Sequence, residues 1–219
     1  MKSLDQRIID CTQCPRLIKH CQKIAREKRK SFQGWTYWGK PIPNFGVLPA
    51  KLLVVGLAPA AHGANRTGRV FTGDNSGLWL YRAMYRAGFA NQEASTSKDD
   101  GLRLIDANIT CVAHCAPPDN KLRPKEIANC SHFFEETVRA TNPKVIIALG
   151  RTAWDALLKE FKKKNPDFKK PPFKHGASFR FRDQMILASF HPSQQNTFTK
   201  RLTEKMFDDI FSKAKTYLS

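Results

Sequence analysis

The chain has 219 residues, enough to bury a sizeable core in one α/β domain without covalent cross-links. It carries 37 Lys and Arg against 19 Asp and Glu, and the resulting net charge of +18 favours nucleic acid as partner, although a lysine-rich surface also serves solubility or heat resistance. No stretch offers the roughly 20 apolar residues of a membrane span, and no secretory signal is evident, so we expect a cytoplasmic protein without a membrane partner.

The N-terminal region, residues 1–45, is basic and begins with the cysteine pair of CTQC at 11–14. A helix-like segment, RLIKHCQKIAREKRKSF, follows, and then an aromatic stretch with glycine and proline, GWTYWGKPIPNFG. We expect this region to be an extension that packs on a single domain spanning residues 1–219.

Four apolar runs predict strands covered on both faces, at 51–57, 105–113, 144–150 and 184–190. Segments with helical character lie between them, at 76–89, 124–141 and 151–164. This alternation predicts an α/β fold, a three-layer α/β/α sandwich with a central four-stranded parallel sheet. Residues 162–175, KKKNPDFKKPPFKH, are typical of a basic, solvated surface loop.

The first predicted strand leads into GLAPAAHGANRTGRVFTGD, residues 56–74, which is rich in small side chains. Ligands of parallel sheets bind beyond the carboxyl ends of the strands. Small residues at such a position let a base or phosphate approach the backbone closely. A turn kept small only so that a helix can pack is the plain alternative.

Two pairs of cysteines indicate a metal site, since disulfides are rare in a reducing cytosol. One pair is CTQC, and the other brackets CAPPDNKLRPKEIANC. Four thiolates can hold zinc or an iron-sulfur cluster, and spacing alone does not choose between them. The second pair could also be small buried hydrophobes, a reading that suits Cys21 and Cys111 better. The four candidate ligands are Cys11, Cys14, Cys115 and Cys130.

Three long motifs together resemble the family 5, or type b, uracil-DNA glycosylases of archaea and thermophilic bacteria. They are GLAPAAHGANRTGR with FTGDNSG, then CAPPDNKLRPKEIANC, then HPSQQNTFTKRLT at 191–203, and the likeness covers nearly the whole chain. The resemblance implies the uracil-DNA glycosylase fold and removal of uracil and other deaminated bases from DNA. It also implies a [4Fe-4S] cluster on the four cysteines, in preference to zinc.

Two positions depart from the wider superfamily. Better-known members carry Asp or Glu after the first glycine of the first motif, where this chain has Leu57, so the usual water-activating group is missing. Type a enzymes read uracil with an Asn where Cys111 stands here, and a thiol cannot offer the paired donor and acceptor of an amide. We therefore expect looser discrimination that admits hypoxanthine.

Cleavage of an N-glycosidic bond needs support for a cationic sugar and for an anionic base. Asp74 is the candidate for the sugar and the attacking water, although Asp74 also suits the N-cap of the following helix. His191, directly after the last predicted strand, is the candidate donor to the base carbonyl. A structural histidine is the alternative for a lone residue of this type.

Further candidates follow from the chemistry of a flipped nucleotide. The base-binding candidates are Ala58, His62, Asn65, Phe71 and Asn120. The DNA-contacting candidates are Arg66, Gln194, Gln195, Lys200 and Arg201. We predict a monomeric, monofunctional glycosylase acting on DNA that contains uracil. The alternative is a non-catalytic nucleic-acid-binding protein with zinc, and the lack of GxxxxGK[ST] argues against a nucleotide-dependent enzyme.

Overall fold

The computed structural model describes residues 2–218, except the side chain of Lys164. The strands in this range are β1 (Phe45–Gly46), β2 (Leu52–Gly56), β3 (Ala107–Cys111), β4 (Val145–Leu149), β5 (Ser178–Phe181) and β6 (Gln184–Ser189). The α-helices are α1 (Leu4–Ile9), α2 (Pro15–Glu27), α3 (Ala64–Thr67), α4 (Asn75–Arg86), α5 (Pro124–Thr141), α6 (Arg151–Lys164), α7 (Gln194–Phe198) and α8 (Glu204–Leu218). None of these helices is long and apolar enough to cross a lipid bilayer.

The sheet has the strand order β1-β3-β2-β4-β6-β5. Its four central strands run parallel and correspond to the four predicted strands, which confirms the α/β fold class. The sheet has six strands, however, because β1 and β5 add an antiparallel strand at each edge. β1 is only two residues long, and β5 alternates exposed and covered side chains, so neither forms an apolar run.

Alternate residues of β2 point into two different cores, as the pleat of a strand requires. Leu52 and Val54 belong to a core formed with α4 and α8. Leu53 and Val55 belong to a core formed with α5 and α6. The sheet is thus covered on both faces, which explains why its central strands are buried along most of their length and consist mainly of apolar residues.

The N-terminal helices are fastened to α5 by charge pairs. Arg16 of α2 makes a two-pronged contact with Glu126, with Nε to Oε1 at 2.7 Å and Nη2 to Oε2 at 2.8 Å. Arg7 of α1 pairs with Glu136 farther along the same helix. Bidentate pairs of arginine and carboxylate fix orientation as well as distance, so α2 has a defined position and orientation relative to α5.

The predicted solvated loop at 162–175 is partly wrong. α6 extends to residue 164, and Phe168 and Phe173 pack against the core on that face of the sheet. The Phe168 ring lies 5.2 Å from that of Phe181, and the indole of Trp154 donates to the carbonyl of Pro171 at 3.1 Å. The lysine side chains that the structure describes in this segment are exposed, whereas the two phenylalanine rings are partly buried. The average composition of the segment does not reveal this difference.

Four helices were not among the predicted elements. α1, α3 and α7 have four to six residues, too few for a helical repeat to be visible. α8 is different, because its buried residues keep the spacing of one helix face. Those residues are Phe207, Ile210, Phe211 and Ala214.

Candidate active site

The loops that follow the parallel strands meet at one edge of the sheet and enclose two adjoining cavities. The inner cavity, about 40 Å³, is lined by Ala58, Pro59, Ala60, Val70, Phe71, Asp74, Ser76, Cys111 and His191. The outer cavity, about 500 Å³, is lined by Leu57, Leu149, Gly150, Arg151, Thr152, Phe173, Lys174, Phe190, His191, Asn196 and Arg201. His191 belongs to both linings. The inner cavity is large enough for ordered water.

Asp74 is the N-cap of α4, and its Oδ1 accepts a hydrogen bond from the Gly77 N–H at 2.9 Å. The carboxylate lies so close to the preceding loop that a Cβ at Gly63 would collide with Oδ2. Burial raises the pKa of Asp74, while the N–H groups of Gly77 and Ser76 and the charge of Arg66 oppose that rise. The first turn of α4 therefore holds Oδ1 of Asp74 in place, and the carboxylate lies against the inner cavity.

Phe71 forms one wall of the inner cavity. Its backbone has φ +50°, and its ring packs so tightly on β2 that a Cβ at Gly56 would lie 2.8 Å from Cζ. The ring centroid is 6.0 Å from that of His191, with 32° between the planes. The Cys111 thiol also lines this cavity, and burial raises its pKa to about 12, so the thiol is neutral.

His191 follows β6 and stands at the junction of the two cavities. Gly150, with φ +92°, lets the end of β4 approach closely, since a Cβ there would be 3.3 Å from that of His191. Asn196 Nδ2 donates to the His191 carbonyl at 2.8 Å and fixes the backbone. Burial lowers the pKa of the imidazole to about 4. Within residues 2–218 its ring nitrogens make no hydrogen bond, so a neutral ring with a free N–H faces the cavities.

Three of the predicted base-binding residues lie outside both cavity linings. His62 Nδ1 is 3.0 Å from the Tyr37 hydroxyl. Asn65 is fully buried and uses its Nδ2 to reach the Cys21 carbonyl at 3.2 Å. Asn120 is exposed at the end of a short 3-10 helix, Pro118–Asn120. The structure thus brings Ala58 and Phe71 to the inner cavity and places the other three elsewhere.

Arg66, a predicted DNA contact, is only 3 % exposed. Its Nε donates to the His62 carbonyl and its Nη2 to the Gly73 carbonyl, each at 2.8 Å. The rings of Phe32 and Trp35 lie against the guanidinium, with centroids at 3.9 and 4.1 Å. In this structure the guanidinium is enclosed by protein and has no open path to a phosphate.

The outer cavity has a cationic rim formed by Arg151, Lys174 and Arg201. Arg151 lies over the Phe173 ring at 5.4 Å and Arg201 over Phe190 at 4.6 Å. Lys174 is exposed at the same rim. Within residues 2–218 none of these three cations forms an ion pair. Sequence reasoning named Arg201 but missed Arg151, although it directly follows a predicted strand.

The short helix α7 stands beside the outer cavity, starting three residues after His191. Gln194 and Gln195 are exposed, as predicted wedge residues should be, and Lys200 is exposed beyond the helix. Phe198 is 74 % exposed, the largest exposed fraction among the chain's large apolar residues that the structure describes. Sequence reasoning missed it, although it is the single large apolar residue within SQQNTFTK.

The cysteines gather where α2 meets the sandwich. Cys14 and Cys115 are buried in one small apolar cluster, and Asn129 Nδ2 contacts Cys14 Sγ at 3.4 Å. The pKa of Cys130 is raised to about 11, mainly by burial and also by the nearby Cys11 and Cys14. Cys21 contacts Cys115 and lies 3.6 Å from the Ala116 carbonyl. Among residues 2–218 no three such donors converge on a position for a single metal ion.

Comparison with known proteins assigns the chain to a family. Residues 43–215 match the family model described as the uracil DNA glycosylase superfamily. The chain is 44% identical to the type-5 uracil-DNA glycosylase of Mycobacterium leprae over 97% of its own length and 93% of that protein. It is 42% identical to that of Thermus thermophilus, with 96% and 94% covered, and 39% identical to that of Pyrobaculum aerophilum, with 95% and 89% covered. The chain belongs to the uracil-DNA glycosylase superfamily and, within it, to the type-5 uracil-DNA glycosylases.

Proposed function

We propose that this protein removes uracil from DNA by hydrolysing the N-glycosidic bond, and leaves an abasic site for later repair steps. The observation that carries the proposal is the pairing of Asp74 and His191 around one cavity, in a chain of this family. One group is a buried carboxylate and the other a neutral imidazole. Together they match the two charges that develop when the bond breaks.

Asp74 serves the sugar side of the reaction. As the bond to the base lengthens, positive charge builds on the sugar, and a carboxylate stabilises that charge electrostatically. The inner cavity has room for the attacking water beside Asp74, whose position is set by the hydrogen bond from Gly77. The carboxylate orients this water and draws its proton as the water attacks the sugar.

His191 serves the base side. Its N–H donates to the uracil carbonyl oxygen that gains negative charge as the base departs. A neutral imidazole keeps this donor without an added positive charge close to the developing sugar cation. Phe71, 6.0 Å away between ring centroids, offers its face to the extruded base.

A base inside a duplex must leave the stack before it can reach these groups. Phe198 is suited to fill the gap, because an exposed aromatic ring gains contact area when it enters the base stack. Gln194 and Gln195 lie on the same helix, α7, and contact the DNA groove next to the inserted Phe198 ring. The cationic rim of Arg151, Lys174 and Arg201 holds the phosphates of the damaged strand.

The same pocket admits other deaminated bases, with hypoxanthine as the first to test. Leu57 and Cys111 provide neither a carboxylate nor an amide in the two cavities. A site that lacks a paired donor and acceptor cannot reject a base by leaving such groups unpaired. Selectivity then depends on shape and on the polar groups that remain in the lining, such as His191 and Ser76.

The decisive experiment compares Asp74→Asn with the wild type on labelled duplexes containing one uracil, followed by alkali to reveal abasic sites. Asparagine also caps helices, so the fold should persist. We expect the rate of base release to fall by about 10²- to 10⁴-fold, with the Kd for the duplex nearly unchanged. Asp209→Asn makes the same charge change on the exposed face of α8 and serves as control. Tight binding with no release by the wild type would instead indicate a DNA-binding protein.

We also propose that Cys11, Cys14, Cys115 and Cys130 hold a [4Fe-4S] cluster. Cys115 interacts electrostatically with Cys130 and Cys11, and Cys130 also interacts with Cys14, so four sulfur donors from three parts of the chain lie near the start of α2. Soft thiolates suit iron-sulfur clusters and zinc alike. A cluster there would tie the N-terminal extension to β3 and α5 and would act as a structural link. Brown protein with about four irons per chain supports the cluster, whereas colourless protein with stoichiometric zinc contradicts it.

A further inference from the structure

Arg66 lies between the two ends of the loop that carries Asp74. Its Nε holds the carbonyl of His62 and its Nη2 holds that of Gly73, the residue directly before Asp74. The side chain leaves no space beneath Gly73, since a Cβ there would collide with Nη2. One planar guanidinium therefore fixes the path of the chain into the carboxylate.

The guanidinium is held in turn by the N-terminal extension. Phe32 and Trp35 stack on it at 3.9 and 4.1 Å, and the Arg66 carbonyl accepts from the Trp38 N–H at 3.0 Å. Among residues 2–218 the buried Nη1 has no hydrogen-bond partner. A buried arginine without a carboxylate in contact is costly. The burial of Arg66 despite this free-energy cost indicates that the residue has a function in the protein.

Arg66 is the cation that acts on Asp74. The other ionisable groups around that carboxylate are Cys111, His191 and the Tyr81 hydroxyl. All three are neutral at pH 7, because burial raises the pKa of the Cys111 thiol and of the Tyr81 hydroxyl and lowers that of His191. Positive charge near the buried carboxylate thus comes from Arg66.

We propose that Arg66 is a positioning residue that fixes the location of Asp74 and supports its negative charge, and that Phe32 and Trp35 hold it in place for this task. The proposal rests on the proposed role of Asp74 in base release. It assigns the N-terminal extension a part in catalysis, through a contact that reaches the active loop without touching DNA.

The test separates charge from geometry with two variants. Arg66→Gln removes the charge, whereas Arg66→Lys keeps it but cannot hold both carbonyls with one ammonium. In single-turnover base release, we expect Arg66→Gln to move the acidic midpoint of the pH profile upward, because the carboxylate of Asp74 loses a nearby positive charge. The maximal rate should fall about 10- to 100-fold, with little change in Kd. Arg66→Lys should lose rate but keep the wild-type midpoint.

Arg69→Gln is the matched control, because Arg69 is buried in the same loop but pairs with Asp100. It should lower stability without moving the acidic midpoint. Trp35→Ala, which uncovers the guanidinium, should reproduce part of the rate loss. An unchanged midpoint and rate in Arg66→Gln, or an equal midpoint shift in Arg69→Gln, would overturn the proposal.

A second readout does not depend on activity. The carboxyl carbon of Asp74, identified in NMR spectra by its loss in Asp74→Asn, reports the ionisation of this group directly. Its titration midpoint should rise in Arg66→Gln and stay in place in Arg69→Gln. If the wild type releases no base, this titration still decides whether Arg66 controls Asp74.

Discussion

Phe198 presents most of its ring to solvent on a helix of five residues, directly beyond the proposed active site. We predict that Phe198→Ala weakens binding to a uracil-containing duplex by about tenfold, because the stacking contact with the neighbouring bases is lost. Release from single-stranded DNA should change much less, since no duplex stack has to be filled. The measurement is the Kd and the single-turnover rate on matched single- and double-stranded substrates.

Tyr217→Ala is the control for this change, since it removes another exposed aromatic ring, on α8. It should leave both substrates unaffected. Equal losses on both strand forms in Phe198→Ala would show that the ring serves the pocket itself and not the duplex.

At the level of single residues, the sequence predicts the location of a side chain well where the residue lies in a loop that follows a strand. It predicts the location poorly where segments distant in the chain determine what surrounds the side chain. Phe71, Asp74 and His191 share a cavity because their loops start at the same sheet edge. The sequence predicts a DNA contact for Arg66, but the structure buries its guanidinium. Its burial depends on the aromatic residues at 32 and 35, which no local pattern connects to the loop.

The loop between β2 and α4 is closed by a second buried arginine. Arg69 Nη2 contacts both carboxylate oxygens of Asp100, at 2.7 and 2.8 Å, and its Nε donates to Thr72. Burial would raise the pKa of Asp100, but the hydrogen bonds from Arg69 and from the Leu102 and Thr96 N–H groups outweigh it and lower that pKa.

We predict that Asp100→Asn reduces the free energy of unfolding at pH 7 by about 3 kcal/mol, because it leaves Arg69 buried without its partner. A lowered pKa in the folded state contributes stability above the ordinary value of 3.8 and loses it as the pH falls. The difference between variant and wild type should therefore shrink below about pH 4. Denaturant unfolding across pH measures it, and Asp99→Asn, at an exposed neighbour, should show no such difference.

Among the elements, the central strands and the helices α4, α5 and α6 were predictable because long apolar patterns specify them. The edge strands were not, since their pairing is set by their neighbours in space. α7 was not predicted either, because its five residues are too few to show the periodicity of a helix. Of these short elements, α7 carries Gln194, Gln195 and Phe198 of the proposed DNA-binding surface.

The whole molecule carries a formal charge of +18, and the outer cavity gathers three cations with no acidic partner among the described residues. We predict that Arg151→Gln lowers the salt dependence of DNA binding by about one unit of log Kd per log salt, because one phosphate contact is lost. Arg180→Gln removes an equal charge from the exposed edge strand β5 and should leave that slope unchanged. Equal slopes for both variants would mean that overall charge, and not the rim, attracts DNA.

One residue both caps a helix and carries the proposed chemistry: Asp74 caps the first turn of α4 and lines the inner cavity. Helix ends fray at temperatures where the rest of a protein is still folded. Each opening of that first turn releases the carboxylate from its working orientation. Heating should therefore abolish the activity at a temperature below that at which the protein unfolds. The temperature optimum of the activity should depend on the first turn of α4, whereas the Tm depends on the whole fold.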